Sequence, residues 1–160
     1  MRPMRKINRQ LDADEALEIF DRAPYVTLSM MRPDSTPYGL PLSIVRSDRH
    51  TFYFHCAGEG EKLDCLTAQP VVSLSAVSRC HPAFEAEKEN FTEHYRSAIA
   101  VGRASIVTDD TEKVEALRLL CRRFLPDYMD HFDSAIARSL GVTTVVKICL
   151  TEPPCGKCKQ

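Results

Sequence analysis

Six stretches of this chain alternate apolar and polar residues with the period of a β-strand, and their order limits the fold more than any other feature. They are Tyr25–Met31, Tyr38–Arg46, Thr51–Cys56, Val71–Val77, Tyr95–Val107 and Val142–Leu150. A period of two sends one row of side chains to a core and the other away from it. The early strands follow one another through short polar turns such as Ser47-Asp48-Arg49, which favours hairpins and an antiparallel sheet over βαβ units. Pro41 lies inside the second stretch and demotes it to an edge or a bulge. Gly102 interrupts the fifth, marking a bend or a close backbone approach.

Helical signals flank these strands. Asp12 and Glu15 stand three apart as a capping-box pair ahead of Leu17 and Phe20, which predicts a helix from Asp12 to Arg22 before Pro24. A short helix spans Gly60–Gln69. Val114, Leu117, Cys121 and Phe124 recur at helical spacing from Asp109 and Asp110 to Pro126. A further helix from Asp127, carrying Met129, Phe132 and Ile136, ends at Gly141. The expectation is a mainly β fold: a six-stranded antiparallel barrel, closed or partly closed, with flanking helices. One domain covers residues 1–152 and a cysteine-containing tail covers residues 153–160. Residues 78–94 match neither period and fit a helix or a mobile loop equally.

The 160 residues suffice for one domain with a real core. A net charge of −1 shows no basic footprint of the kind nucleic-acid binders carry. No apolar run approaches the roughly 20 residues of a membrane-spanning helix. The basic start MRPMRKINRQ has no apolar stretch behind it, so no secretory signal is expected, and a cytoplasmic protein with reduced thiols is. Of seven cysteines, only Cys155 and Cys158 form a C-x-x-C pair. They could form half of a four-ligand zinc site supplied by two chains, or belong to a disordered tail, which is the preferred reading.

Chemistry concentrates in Thr51–Leu66, TFYFHCAGEGEKLDCL. A strand ends at His55, a glycine-bearing turn follows, and a helix opens with Lys62 in its first turn. Unpaired N–H groups and the helix dipole favour an anion at that point, and a lysine adds a full charge. Lys62 fits a phosphate ligand or a surface lysine paired with Glu59 or Glu61. His55 should face away from the barrel interior together with Tyr53. It fits an exposed hydrogen-bonding residue, a ring contact, or a proton donor that titrates near neutrality.

FYFHCAGEGEKLDCL, the PLSIV strand before it and YRSAIAVGRA after it resemble the flavin-binding split-barrel proteins of the pyridoxamine 5′-phosphate oxidase superfamily. The branch that includes nitroimidazole-resistance (Nim) proteins is the most similar. The resemblance implies a homodimer holding FMN, with FAD as the alternative, across the subunit interface, and electron transfer to a small-molecule substrate. Lys62 would meet the flavin phosphate beside Gly60 and Leu63. Pro41, Leu42 and Ser43 would lie along the ring, and Tyr95, Arg96 and Ser97 would reach the cofactor from the fifth strand. His55 would stand beside the ring as the catalytic candidate. Glu61 departs from the pattern, standing where the oxidases carry a basic residue. The tail TEPPCGKCKQ lacks the substrate-holding arginine and tryptophan of true pyridoxamine-phosphate oxidases, so vitamin B6 oxidation is not expected. The resemblance also leaves open a flavin or haem carrier without turnover and a deazaflavin-dependent reductase.

Overall fold

In a computed structural model the chain is described from residue 3 to residue 159; what was expected of Met1, Arg2 and Gln160 lies outside the described residues. Among the described residues nine antiparallel strands form one sheet with four α-helices around it. The strands are β1 (Gln10–Leu11), β2 (Val26–Met31), β3 (Pro37–Leu42), β4 (Val45–Arg46), β5 (Thr51–Ala57), β6 (Val71–Glu85), β7 (Asn90–Ile106), β8 (Thr143–Leu150) and β9 (Cys155–Lys159). The helices are α1 (Ala13–Arg22), α2 (Glu61–Ala68), α3 (Asp110–Phe124) and α4 (Phe132–Ser139). The six expected strands are β2, β3, β5, β6, β7 and β8. The long second stretch breaks after Leu42 and resumes as β4. The helix expected from Asp127 starts as a 3-10 turn, Pro126–His131, before becoming α4.

The sheet order is β3-β2-β6-β7-β8-β5-β4, with β9 joining β7 to β1. Its first and last strands, β3 and β4, are separated in the chain by only Ser43 and Ile44. The two edges must therefore approach each other, and the sheet curls into a barrel split at that link. Pro41 sits on β3, which pairs with β2 alone among the described residues, the edge position that a residue without an N–H tolerates.

Apolar residues fill two compartments. Phe20, Leu28, Ile44, Phe52, Phe54, Leu74 and Ile148 form the barrel interior, with Phe20 and Phe52 packed edge-to-face at 5.3 Å. Tyr53 points to the other side of β5, as the alternation predicted. There it joins Val145, Leu117, Leu120 and Phe132 beneath α3 and α4. Asp109 caps α3 by accepting from the Glu112 N–H at 2.8 Å. The Glu112 carboxylate in turn accepts from the Tyr53 hydroxyl and from Lys147 Nζ, both at 2.7 Å, tying α3 to β5 and β8. Burial and the Glu112 hydrogen bond push the Tyr53 phenol's pKa well up. The capping box at α1 forms as expected, with Glu15 N–H to Asp12 at 2.8 Å and the reciprocal bond at 3.2 Å. Gly102 marks a close approach: a Cβ there would stand 2.7 Å from Ile148 Cγ2 and 2.8 Å from the Cys149 carbonyl oxygen.

Two segments differ from expectation. Residues 78–94 are mostly strand, with a 3-10 turn, Ala86–Lys88, at the tip. They extend β6 and β7 into a hairpin arm, with Phe84 opposite Phe91 and Glu85 opposite Asn90 near its tip. A β-bulge between Val77 and Arg79 resets the alternation by one residue, which hides the strand period from any continuous reading. The tail is strand β9, paired with β7 from Ile99 to Tyr95 and with β1. Cys155 and Cys158, three apart on one strand, point to opposite faces about 10 Å apart, so they cannot share a metal ion or form a disulfide.

Arg123, near the end of α3, locks the split. Its guanidinium donates to the carbonyl oxygens of Ile44 at 2.8 Å, Phe20 at 2.7 Å and Ala23 at 2.9 Å. One side chain thus joins the link between β3 and β4 to the end of α1. Arg123→Ala leaves three part-buried carbonyls without this donor, and denaturant unfolding should show a loss of about 3 kcal/mol. Arg123→Lys should recover less than half of it, because an ammonium lacks the planar fork. A loss below about 1 kcal/mol for the alanine variant would mean that the split is held by other contacts.

Candidate functional site

The corner where β5 gives way to α2 is built around Gly60. Its φ of +128° is open to glycine and strained for any side chain, although nothing lies within 4 Å of where a Cβ would stand. No side chain caps the helix, whose first intrahelical bonds run to the Gly60 carbonyl from Leu63 N–H at 2.8 Å and Asp64 N–H at 3.3 Å. The N–H groups of Glu61 and Lys62 precede them and face outward from the helix start. Leu63 is buried and anchors this turn in the barrel core. Lys62 is half-buried, with Nζ 5.7 Å from the Phe54 ring centroid, and no carboxylate among the described residues pairs with it.

Glu61 does not cancel Lys62. It pairs with Arg32, in the turn between β2 and β3, whose guanidinium also stacks 4.6 Å from the Tyr38 ring centroid and donates to the Pro37 carbonyl at 3.0 Å. The Glu61 carboxylate raises the Arg32 pKa further. The corner therefore keeps Lys62's charge uncompensated. Arg32 carries no local sequence signal, because it stands 29 residues from Glu61 and meets it only through the fold.

His55 is exposed on the same side of β5 as Tyr53. Partial desolvation, and then the Lys62 charge, hold its pKa below the ordinary value of 6.5. At neutral pH the ring is uncharged, so it offers one N–H and one lone pair rather than an imidazolium proton. Cys56 beside it has its thiol pKa raised by burial, against a lowering contribution from Lys62.

Tyr95, Arg96 and Ser97 lie elsewhere, at the base of the hairpin arm. Arg96 shares a face with the buried Ala98 and Ala100 and reaches Glu15 of α1 at 3.7 Å. Tyr95 and Ser97 face the other side, where Lys157 Nζ stands 5.5 Å from the Tyr95 ring centroid. Register gives the separation. Ser29 pairs with Ser73, Ser73 with Val101, and Ala104 N–H donates to Pro70, so Arg32 is level with about Ala104. Arg96 is about eight residues back along β7, or ~25 Å. Lys62 and Arg96 of one chain cannot hold one phosphate. Pro41, Leu42 and Ser43 run between these places: β3 starts beside the Arg32 corner, and Pro41 pairs with Thr27, which pairs with Ser75. A cavity of about 320 Å³ opens there, lined by Tyr25, Thr27, Ser75, Val77 and Arg79.

Replacing Lys62 by alanine should raise the His55 pKa towards 6.5, as followed by NMR titration of its ring protons. An unchanged or lowered value would show that the two side chains do not share the corner.

No curated protein sequence matches the chain. Among solved structures, a proposed 5-nitroimidazole antibiotic resistance protein from Bacteroides thetaiotaomicron has a TM-score of 0.78 at 20% identity, covering 92% of this chain and 85% of that one. The flavocytochrome Anf3 from Azotobacter vinelandii has a TM-score of 0.83 at 20% identity, covering 99% and 73%. The FAD and heme binding protein from Mycobacterium smegmatis has a TM-score of 0.78 at 20% identity, covering 95% and 74%. At such identities these likenesses show the fold. The family model described as pyridoxamine 5′-phosphate oxidase matches residues 12–154, nearly the whole described chain. With the split antiparallel barrel and the glycine-turn helix start in place, the chain belongs to the pyridoxamine 5′-phosphate oxidase family.

Proposed function

We propose that the protein is a flavin-binding oxidoreductase acting on a small molecule, with FMN as the preferred cofactor and its phosphate held at the start of α2. The observation that carries this reading is the uncapped helix start at Gly60, with Lys62 in its first turn and the Glu61 charge taken up by Arg32. The donors fit a phosphate monoester: two outward N–H groups, a helix dipole and an ammonium with no competing carboxylate. A bound flavin would supply reversible electron transfer. Lys62 and the Gly60 turn bind the phosphate, the edge strand at Pro41–Ser43 lies along the ring, and Leu63 keeps the corner rigid. His55, neutral at physiological pH, holds a proton on one ring nitrogen for a hydrogen bond to the ring or substrate. The names of structural neighbours, an FAD and heme binding protein and a flavocytochrome, agree with a flavin.

Tyr95 and Ser97 enter this site from a second copy of the chain, whereas Arg96 faces the other way and stays with Glu15. The ~25 Å separation within one chain supports that reading, and so does the sheet face that Ser97 occupies. Val77, opposite Ser97, and Ile99, two residues on, are exposed on that face. It continues out to Phe84 and Phe91, whose rings lie 4.8 Å apart, with Phe91 87% exposed. These exposed apolar side chains suit a contact with a second copy.

The test compares two ligands that differ only in the phosphate. Lys62→Ala should weaken FMN binding about tenfold or more, equivalent to ~1.4 kcal/mol, and leave riboflavin binding unchanged. A loss of less than threefold for FMN, or equal losses for both, would remove Lys62 as the anchor. Tighter binding of a deazaflavin than of FMN would reassign the cofactor.

A further inference from the structure

A second basic site lies at the other end of β6, where the chain's N-terminal turn and β9 meet the hairpin arm. Two adjoining cavities of about 410 and 280 Å³ share Asn8, Arg9 and Cys158 and make one trough. Arg9, Lys88 and Lys159 line the larger cavity together with the carboxamides of Asn8 and Asn90. Among the described residues Glu85 is its one lining carboxylate, shared by Lys159 at 3.5 Å, by Lys88 at 3.7 Å and by the Asn90 carboxamide, which donates to it at 3.2 Å. Lys159 is also held by the Thr92 hydroxyl. Glu87 and Glu89, on the tip of the arm, line neither cavity.

Three cations against one carboxylate leave a surplus positive charge on a chain whose net charge is −1. The neighbouring Tyr95 reports the same field. Burial alone would raise its phenol pKa, yet hydrogen bonds and charge from Lys157 and Arg9 bring it below the usual tyrosine range. Close by, Arg79 and Arg96 stand directly opposite each other across the ladder, with Glu15 as the one carboxylate paired to Arg96. Like charges in that arrangement repel. Nothing in the flavin reading uses Arg9, Lys88 or Lys159.

We infer that this trough binds a phosphorylated small molecule, with the phosphate at Arg9, Lys88 and Lys159 and hydroxyl groups at Asn8 and Asn90. Ammonium and guanidinium groups make charge-assisted hydrogen bonds to phosphate oxygens, and carboxamides both donate to and accept from hydroxyls. The volume falls within the range of small-molecule sites. Within one chain the trough is separate from the α2 corner: β6 starts two residues after Gln69 at the end of α2 and runs the length of the sheet before it reaches Glu85.

Calorimetric titration of the full chain with adenosine 5′-monophosphate and, separately, with inorganic phosphate tests this. Saturable binding of the nucleotide at one per chain is expected, weakened at least tenfold in Arg9→Ala/Lys88→Ala and unchanged in Lys62→Ala. Equal affinity for inorganic phosphate would assign the site to the phosphate alone, whereas tighter nucleotide binding adds the carboxamides. Lys88→Arg keeps the charge and should retain binding, which guards against a variant that fails to fold. Absence of saturable binding overturns the inference. So does a loss in Lys62→Ala matching that in the double variant, because the ligand would then be sitting at the α2 corner.

Discussion

The fold rests on a two-residue link. Ser43 and Ile44 join the strands that end the sheet path on either side, so the chain cannot lie flat and must wrap. Arg123 makes that wrapping specific by tying Ile44 to the end of α1 through three carbonyl oxygens. Phe52 and Phe54 then fall inside and Tyr53 outside, under α3, so β5 is gripped from both sides along its middle. A strand held this firmly delivers His55, the glycine turn and Lys62 to a fixed place. The burial at Phe54 and the reach of Lys62 across its ring are two ends of one arrangement.

Electrostatics at that corner depends on pairing choices made far apart in the chain. Glu61, read alone, would lower the corner's affinity for an anion, and its pairing with Arg32 reverses that conclusion. Desolvation first, and then the same uncompensated ammonium, depress the His55 pKa, so the group proposed to meet a phosphate also helps keep its neighbour neutral. Further along the sheet, Arg96 has settled on Glu15 within its own chain, and any cofactor role for it competes with that pair.

Much of this was legible in the sequence because periodicity and capping act locally. The six main strands, the Asp12–Glu15 box, the edge position of Pro41 and the close approach at Gly102 all follow from short-range rules. The arm did not, because the bulge after Val77 shifts the period in the middle of the run, and Pro82 and the charged residues near the tip resemble a loop. Strand β9 contains Gly156 and two lysines and has little propensity of its own; pairing with β7 and contact with α1 create it. There a Cβ on Gly156 would meet the Ala16 Cβ at 2.9 Å. The site motif was visible, but the ~25 Å between its two halves was not, since that distance is a property of register.

The central claim is that the α2 corner of one copy and the arm base of another complete a single flavin site. Mixing two defective proteins tests it most directly: Lys62→Ala, which lacks the phosphate anchor, and Ser97→Arg, which blocks the arm base with a bulky charge. After subunit exchange, hybrid pairs contain one site with both defects and one with neither. The account predicts that an equimolar mixture of two weakly binding proteins gains full-affinity FMN sites in proportion to the hybrid fraction, up to one per hybrid pair. No recovery in a mixture shown to contain hybrids would mean that each chain builds its site alone, and would contradict it.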